Sequence, residues 1–216
     1  MEKKDEKKDE KKNIENFERI DSLTENAKDF VNLVLSMGGE LEDPNLKIVF
    51  TSGMVGYSCQ AAALKKGYKT NHILASLMIP NKKYISMEAI YNYLSKYVYN
   101  FLIEQFHQKL PNLECPSFGS YNIEVILNIG NEKYLIGNKF NPEKIFDSKL
   151  YSSTWDKFYD NLNKYCKTPD EWPIYFSIAL YYFLETAYFI GGKDSYSLFF
   201  DIALKNAIYV SKIPQI

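Results

Sequence analysis

The chain has 216 residues, 46% hydrophobic and 25% charged, with 26 basic against 27 acidic side chains and a formal net charge of −1. That is the balance of a globular domain able to bury about 70% of its unfolded surface, and it excludes a disordered chain, a collagen-like fibre and a disulfide scaffold. Arg19 is the only arginine. A near-neutral charge without guanidinium forks argues against a nucleic-acid partner, which rewards a basic excess and bidentate contacts.

Residues 2–12 repeat Lys-Lys with two acids at a period of four. They contain no apolar h-region of a secretory signal, so 1–13 reads as a charged low-complexity tail. Ile14, Phe17, Ile20, Leu23, Ala27, Phe30, Val31, Val34 and Leu35 recur at spacings of three and four. They predict a helix over 14–37, stopped by Gly38-Gly39. Leu46–Thr51 (LKIVFT) is β-branched and aromatic and predicts a strand. Ser52–Gly56 then reads as a glycine turn, and Tyr57–Lys66 as a helix with Gly67 as its stop. Asn71–Ile79 is apolar but too short to assign. Tyr84-Ile85 suggests a brief strand, and Ser86 an N-cap for a long helix over 87–109.

Tyr121–Ile129 and Lys133–Phe140 flank Gly130-Asn131, the pattern of a β-hairpin. Trp155, Phe158, Tyr159, Leu162 and Cys166 predict an amphipathic helix over about 154–166. Two more helices, 173–190 and 194–210, are separated by Gly191-Gly192, with Asp194 as an N-cap. Trp172–Ile190 is apolar enough to need a membrane check, but its tyrosines and Glu185 dilute the run and no Lys/Arg asymmetry flanks it, so a buried core helix is expected. No linker divides 14–216. The expected fold is therefore α+β: one mostly helical domain with a small antiparallel sheet that includes the 121–140 hairpin.

The segment most suggestive of chemistry is the 52–60 turn. A glycine turn that opens a helix aims backbone N–H groups and the positive dipole end at one place. Gly53, Gly56, Tyr57, Ser58, Cys59 and Gln60 therefore form a candidate anion site, and Cys59 a candidate activated thiol. If the chain is an enzyme, Cys59 would need His72 or His107, the only histidines, as its base. The plainer reading is that the glycines permit a tight turn and close packing. Neither GxGxxG nor GxxxxGK[ST] is present. Gly56-Tyr57-Ser58-Cys59-Gln60 half-matches a nucleophile elbow but lacks its last glycine and a late histidine.

The three cysteines, Cys59, Cys115 and Cys166, are far apart and form no CxxC, so no metal and no cofactor is expected and a reducing compartment fits. Tyrosines number 18. Tyr91, Tyr93, Tyr97 and Tyr99 surround the predicted 87–109 helix, which makes them candidates for a protein interface.

Gly53-Met54-Val55-Gly56-Tyr57-Ser58-Cys59-Gln60-Ala61 and its flank resemble a G-x-x-G-[FY]-x-C-Q-x-A stretch in a family of small bacterial proteins. Lys83–Leu94 is similar to that family's next segment, and Ser211-Lys212-Ile213 to its helical end; 111–170 has no counterpart. The resemblance implies a cytosolic immunity or accessory protein for a secreted toxin, with no catalytic residues. The expected function is thus a cytoplasmic interaction protein that binds and neutralises a cognate toxin, with no nucleic-acid or membrane partner; a cysteine or anion-site enzyme at Cys59 is the alternative.

Overall fold

A computed structural model describes residues 20–38, 41–67, 87–115, 117 and 148–212. Helix α1 occupies 20–36. Its buried residues are Leu23, Ala27, Phe30 and Val34, all from the stripe that the spacing predicts, whereas Val31 of that stripe is half-buried and Leu35 exposed.

Helix α2 runs Pro44–Lys65 and replaces the strand, turn and short helix expected over 46–66. Asp43 is its N-cap, with a side-chain oxygen accepting the Asn45 N–H at 2.9 Å. Pro44 sits in the first turn, where a missing N–H leaves no bond unmade and the fixed φ suits a helix. Asp-Pro therefore starts a helix here. Every residue from Lys47 to Gly56 is buried. With no wet face the helix carries no 3.6-residue period, and Ile48, Val49 and Thr51 imitate a strand. Burial on all sides overrides their local preference. At the far end Gly67, at φ 83°, provides the expected stop.

Met87–Tyr93, Leu94–Tyr99 and Asn100–Lys109 follow one another as a single rod, α3, wound as a π-helix in its middle stretch. It matches the helix expected over 87–109. Ile90, Leu94, Val98, Phe101, Leu102 and Phe106 form its buried face. Helix α4 spans Ser148–Tyr165, beginning earlier than the pattern suggests.

The last helical stretch, Glu171–Lys212, is broken at Gly192, whose φ of 70° and ψ of −162° no helix contains. We call the arms α5 (171–191) and α6 (193–212). The Phe106 ring lies 4.7 Å from Tyr181 on α5 and 4.7 Å from Tyr196 on α6. In an unbroken helix those two tyrosines would stand about 22 Å apart. The chain therefore doubles back at the Gly191-Gly192 pair, which separates two helices as expected, and α5 and α6 form an αα-hairpin.

Helix α2 lies mainly against this hairpin. Helix α4 covers another side, with Phe50 stacked on Tyr151 at 5.3 Å and Tyr57 beside Trp155 at 5.5 Å. Phe30 of α1 meets Phe158 of α4 at 5.3 Å and Phe176 of α5 at 4.8 Å, both edge-on. Each such buried ring contributes about 1.5–3 kcal/mol through burial alone. No strand occurs among the described residues. The α+β expectation is thereby corrected: this is a helical protein. The 121–140 hairpin, 71–79, Tyr84-Ile85, Ser86 and the 1–13 tail lie outside the described residues.

By length and composition 171–211 is long and apolar enough to cross a membrane. Within this fold Tyr175, Phe176, Ala179 and Leu180 from its first arm are wholly buried in the protein core.

Candidate functional site

The fold changes the chemistry available at 52–60. Gly53, Gly56, Tyr57, Ser58, Cys59 and Gln60 stand inside α2, well beyond its N-terminus at Pro44. Their backbone N–H groups belong to the helix ladder, and the dipole's positive end is elsewhere. The expected anion-binding turn does not form. The two glycines serve close packing instead: a Cβ on Gly53 would lie 2.7 Å from Cε1 of Tyr151, and one on Gly56 would lie 2.9 Å from the carbonyl carbon of Ala207. Ser58 donates to the Val55 carbonyl at 2.7 Å. Tyr57 is half-buried, and Gln60 is buried. Cys59 is buried too, and burial pushes its thiol up, the reverse of activation. His72 lies outside the described residues. His107 faces a different thiol, that of Cys115.

The tyrosines of α3 turn inward. Tyr93 is buried and donates to Oδ1 of Asp170 at 2.7 Å. Tyr97, half-buried, donates to Oδ2 at 3.1 Å. The Lys66 ammonium closes on the same carboxylate. Burial by itself would raise the Asp170 pKa. The hydrogen bonds of Lys66 and Tyr93, the charge of Lys66 and the Tyr97 bond outweigh it and hold the carboxyl below its ordinary value. One carboxylate thus ties the end of α2, the π-wound part of α3 and the turn before α5. Tyr99 packs edge-on to Phe200 at 6.2 Å, and Tyr91 is half-buried. Tyr93, Tyr97 and Tyr99 thus make internal contacts, while Tyr91, Tyr97 and Tyr99 keep partial exposure.

What the surface does offer lies at the two ends of the hairpin packing. At the turn, Phe189 is 71% exposed and Ile190 81% exposed, and Leu198 on α6 is 57% exposed. Sequence reasoning passed over Phe189 and Ile190 because it took 173–190 as one buried run. The signal was an apolar pair abutting Gly-Gly, where a chain reversal leaves the last helical residues without neighbours.

Beside the end of α3, Cys115 Sγ lies 3.9 Å from His107 Nε2 and accepts the Tyr196 hydroxyl at 3.2 Å. Burial pushes the Cys115 thiol up, partly countered by that hydrogen bond. A shallow groove of about 540 Å³ runs along the same face of α3, lined by Asn100, Ile103, Glu104, His107 and Gln108. Among the described residues no three His, Cys, Asp or Glu side chains gather to hold a metal ion. No family model, no curated protein and no solved structure matches the chain.

Proposed function

We propose that this chain is a cytoplasmic interaction protein that works by holding another protein, and that the protein held is a toxin it neutralises. The observation that carries the binding reading is the apolar turn of the α5/α6 hairpin. Phe189 and Ile190 project there almost fully exposed, on a reversal fixed by the Gly192 backbone. Large exposed apolar residues grouped at one spot are the usual mark of a surface that another molecule covers. The same turn carries Lys193 and Asp194, both exposed, a polar rim of the kind that surrounds an apolar contact. The toxin class comes from the resemblance of Gly53–Ala61, and the burial of Cys59 fits a structural part for that stretch.

The test uses the tagged full chain in its source cells, beside a Phe189→Ser/Ile190→Ser double variant of equal stability. One protein should copurify with the wild type and be lost with the variant. Expressed alone, that protein should arrest growth, and the wild-type chain should restore it. Equal recovery by both chains sinks the hairpin turn as the contact; a captured protein without toxicity sinks the neutralising role.

A further inference from the structure

We infer that Cys115 and His107 form a reactive thiol–imidazole pair that exchanges with small disulfides, an assignment independent of the binding reading above. Of the three thiols, Cys59 and Cys166 are buried and Cys115 is the one with partial exposure. Three features fix its position. After α3 the chain turns on Pro111-Asn112, with Leu113 N–H on the Leu110 carbonyl at 2.9 Å, and this brings 113–115 back beneath the last turn of the helix. Glu114, next to the cysteine, pairs with Lys193 at 2.8 Å. One turn further along α6, Tyr196 aims its hydroxyl at the sulfur, its ring gripped by Phe106 at 4.7 Å and Phe200 at 5.5 Å.

The sulfur thus has a built donor on its buried side and an imidazole on its wet side. His107 is exposed and also lines the groove along α3, so the base is open to a small molecule approaching from solvent. The nucleophile in disulfide exchange is the thiolate. A half-buried thiol needs its proton removed, and His107 Nε2 at 3.9 Å is the group placed to take it; such pairs are commonly looser before substrate binds. Exchange asks for nothing beyond these groups. The Cys115 proton moves to His107, the thiolate attacks one sulfur of R–S–S–R, and the S–S bond breaks. The departing R–S⁻ takes the proton back from His107. The products are Cys115–S–S–R and R–SH. The Tyr196 hydroxyl supports the negative sulfur through the step.

The test follows the full chain, all three cysteines present, reacting with 2,2′-dithiodipyridine under pseudo-first-order conditions, with adducts located by peptide mass. One fast adduct is expected, at Cys115. Its rate should fall about tenfold or more at pH 7 in His107→Gln. Slow reaction of Cys59 and Cys166 in the same samples reports an intact core. A His107→Gln rate equal to wild type overturns the pair, and so does a wild-type Cys59 that reacts as fast as Cys115.

Discussion

Gly56 of α2 and Ala207 of α6 meet backbone to backbone. A Cβ on Gly56 would overlap the Ala207 carbonyl oxygen and lie 3.0 Å from its Cα. Beside this contact Asn206 donates from Nδ2 to the Val49 carbonyl at 2.6 Å and to Ser52 Oγ at 2.8 Å. The close approach lets a side-chain amide on α6 reach a backbone oxygen on α2.

Gly56→Ala is therefore expected to destabilise, although alanine is the better helix former by about 1 kcal/mol. The obstacle is backbone, which cannot rotate aside, so the helices must separate and the Asn206 bonds stretch. A net loss of about 1–3 kcal/mol follows from overpacking of this kind. A urea midpoint lowered at constant m-value would show it. Gly53→Ala should cost less, because its obstacle is the Tyr151 side chain. Equal or greater loss at Gly53 would contradict the account.

Lys47 gives a second test. It is a buried lysine, 9% exposed, and its ammonium donates to the carbonyls of Val34 and Met37, each at 3.3 Å, and of Leu41 at 2.5 Å. Those groups lie at and just beyond the C-terminus of α1, where carbonyls lack helix partners and the dipole favours a cation. Lys47→Met keeps the stem's packing and removes the donor. The expected loss is about 1.5–3 kcal/mol, the range for bonds to a charged group. Faster amide exchange should be confined first to the last turn of α1. An unchanged midpoint would mean that water replaces the ammonium freely.

Where a helix has two faces the sequence shows it. The stripe Leu23, Ala27, Phe30, Val34 on α1 and Ile90, Leu94, Val98, Phe101 on α3 is legible because solvent writes the other face. The break at Gly191-Gly192 is legible because two adjacent glycines are poor helix formers, whereas the reversal there is set by the packing of both arms on Phe106. Helix α2 is illegible by period because it has no outer face, and LKIVFT has the composition of a strand. The start signal Asp43-Pro44 was present, but it stands directly before a segment whose composition is that of a strand. The site shows the same division. Cys59 drew attention through its neighbours in sequence, whereas Cys115 meets His107 and Tyr196 only through the turn after α3 and the return of α6. Pairings across that distance in the chain are written by tertiary structure alone.

Asp170 links stability to pH. Its carboxyl is held below the ordinary value by Lys66, Tyr93 and Tyr97 against the opposing effect of burial. A group whose pKa falls on folding contributes stability that is present above its unfolded value, about 3.9 for Asp, and is lost as pH falls through the folded value. The difference in unfolding free energy between wild type and Asp170→Asn should therefore be constant above about pH 5 and shrink below about pH 4. Denaturant midpoints for both proteins from pH 2 to 7 would measure it. A difference that grows on acidification would reverse the sign and dismiss the fastening.

The hairpin turn and the hairpin core should answer differently to the loss of an apolar side chain. Phe200 is wholly buried, with Tyr196 at 5.5 Å, Tyr99 at 6.2 Å and Phe106 at 6.4 Å. Phe200→Ala leaves a ring-sized void among groups that cannot all collapse into it, and about 3–5 kcal/mol should be lost. Phe189 and Ile190 have no such enclosure, at 71% and 81% exposed, so Phe189→Ser and Ile190→Ser should each stay within about 0.5 kcal/mol of wild type. Solubility should rise in both, since each removes apolar surface from water. The contrast bears on function. The proposed binding surface requires this contrast, since a contact residue contributes to what it touches and not to the stability of the free chain. A loss above about 1 kcal/mol from either serine variant would instead mean that other parts of the chain cover the turn in solution, and the binding surface would then have to be sought along the α3 groove.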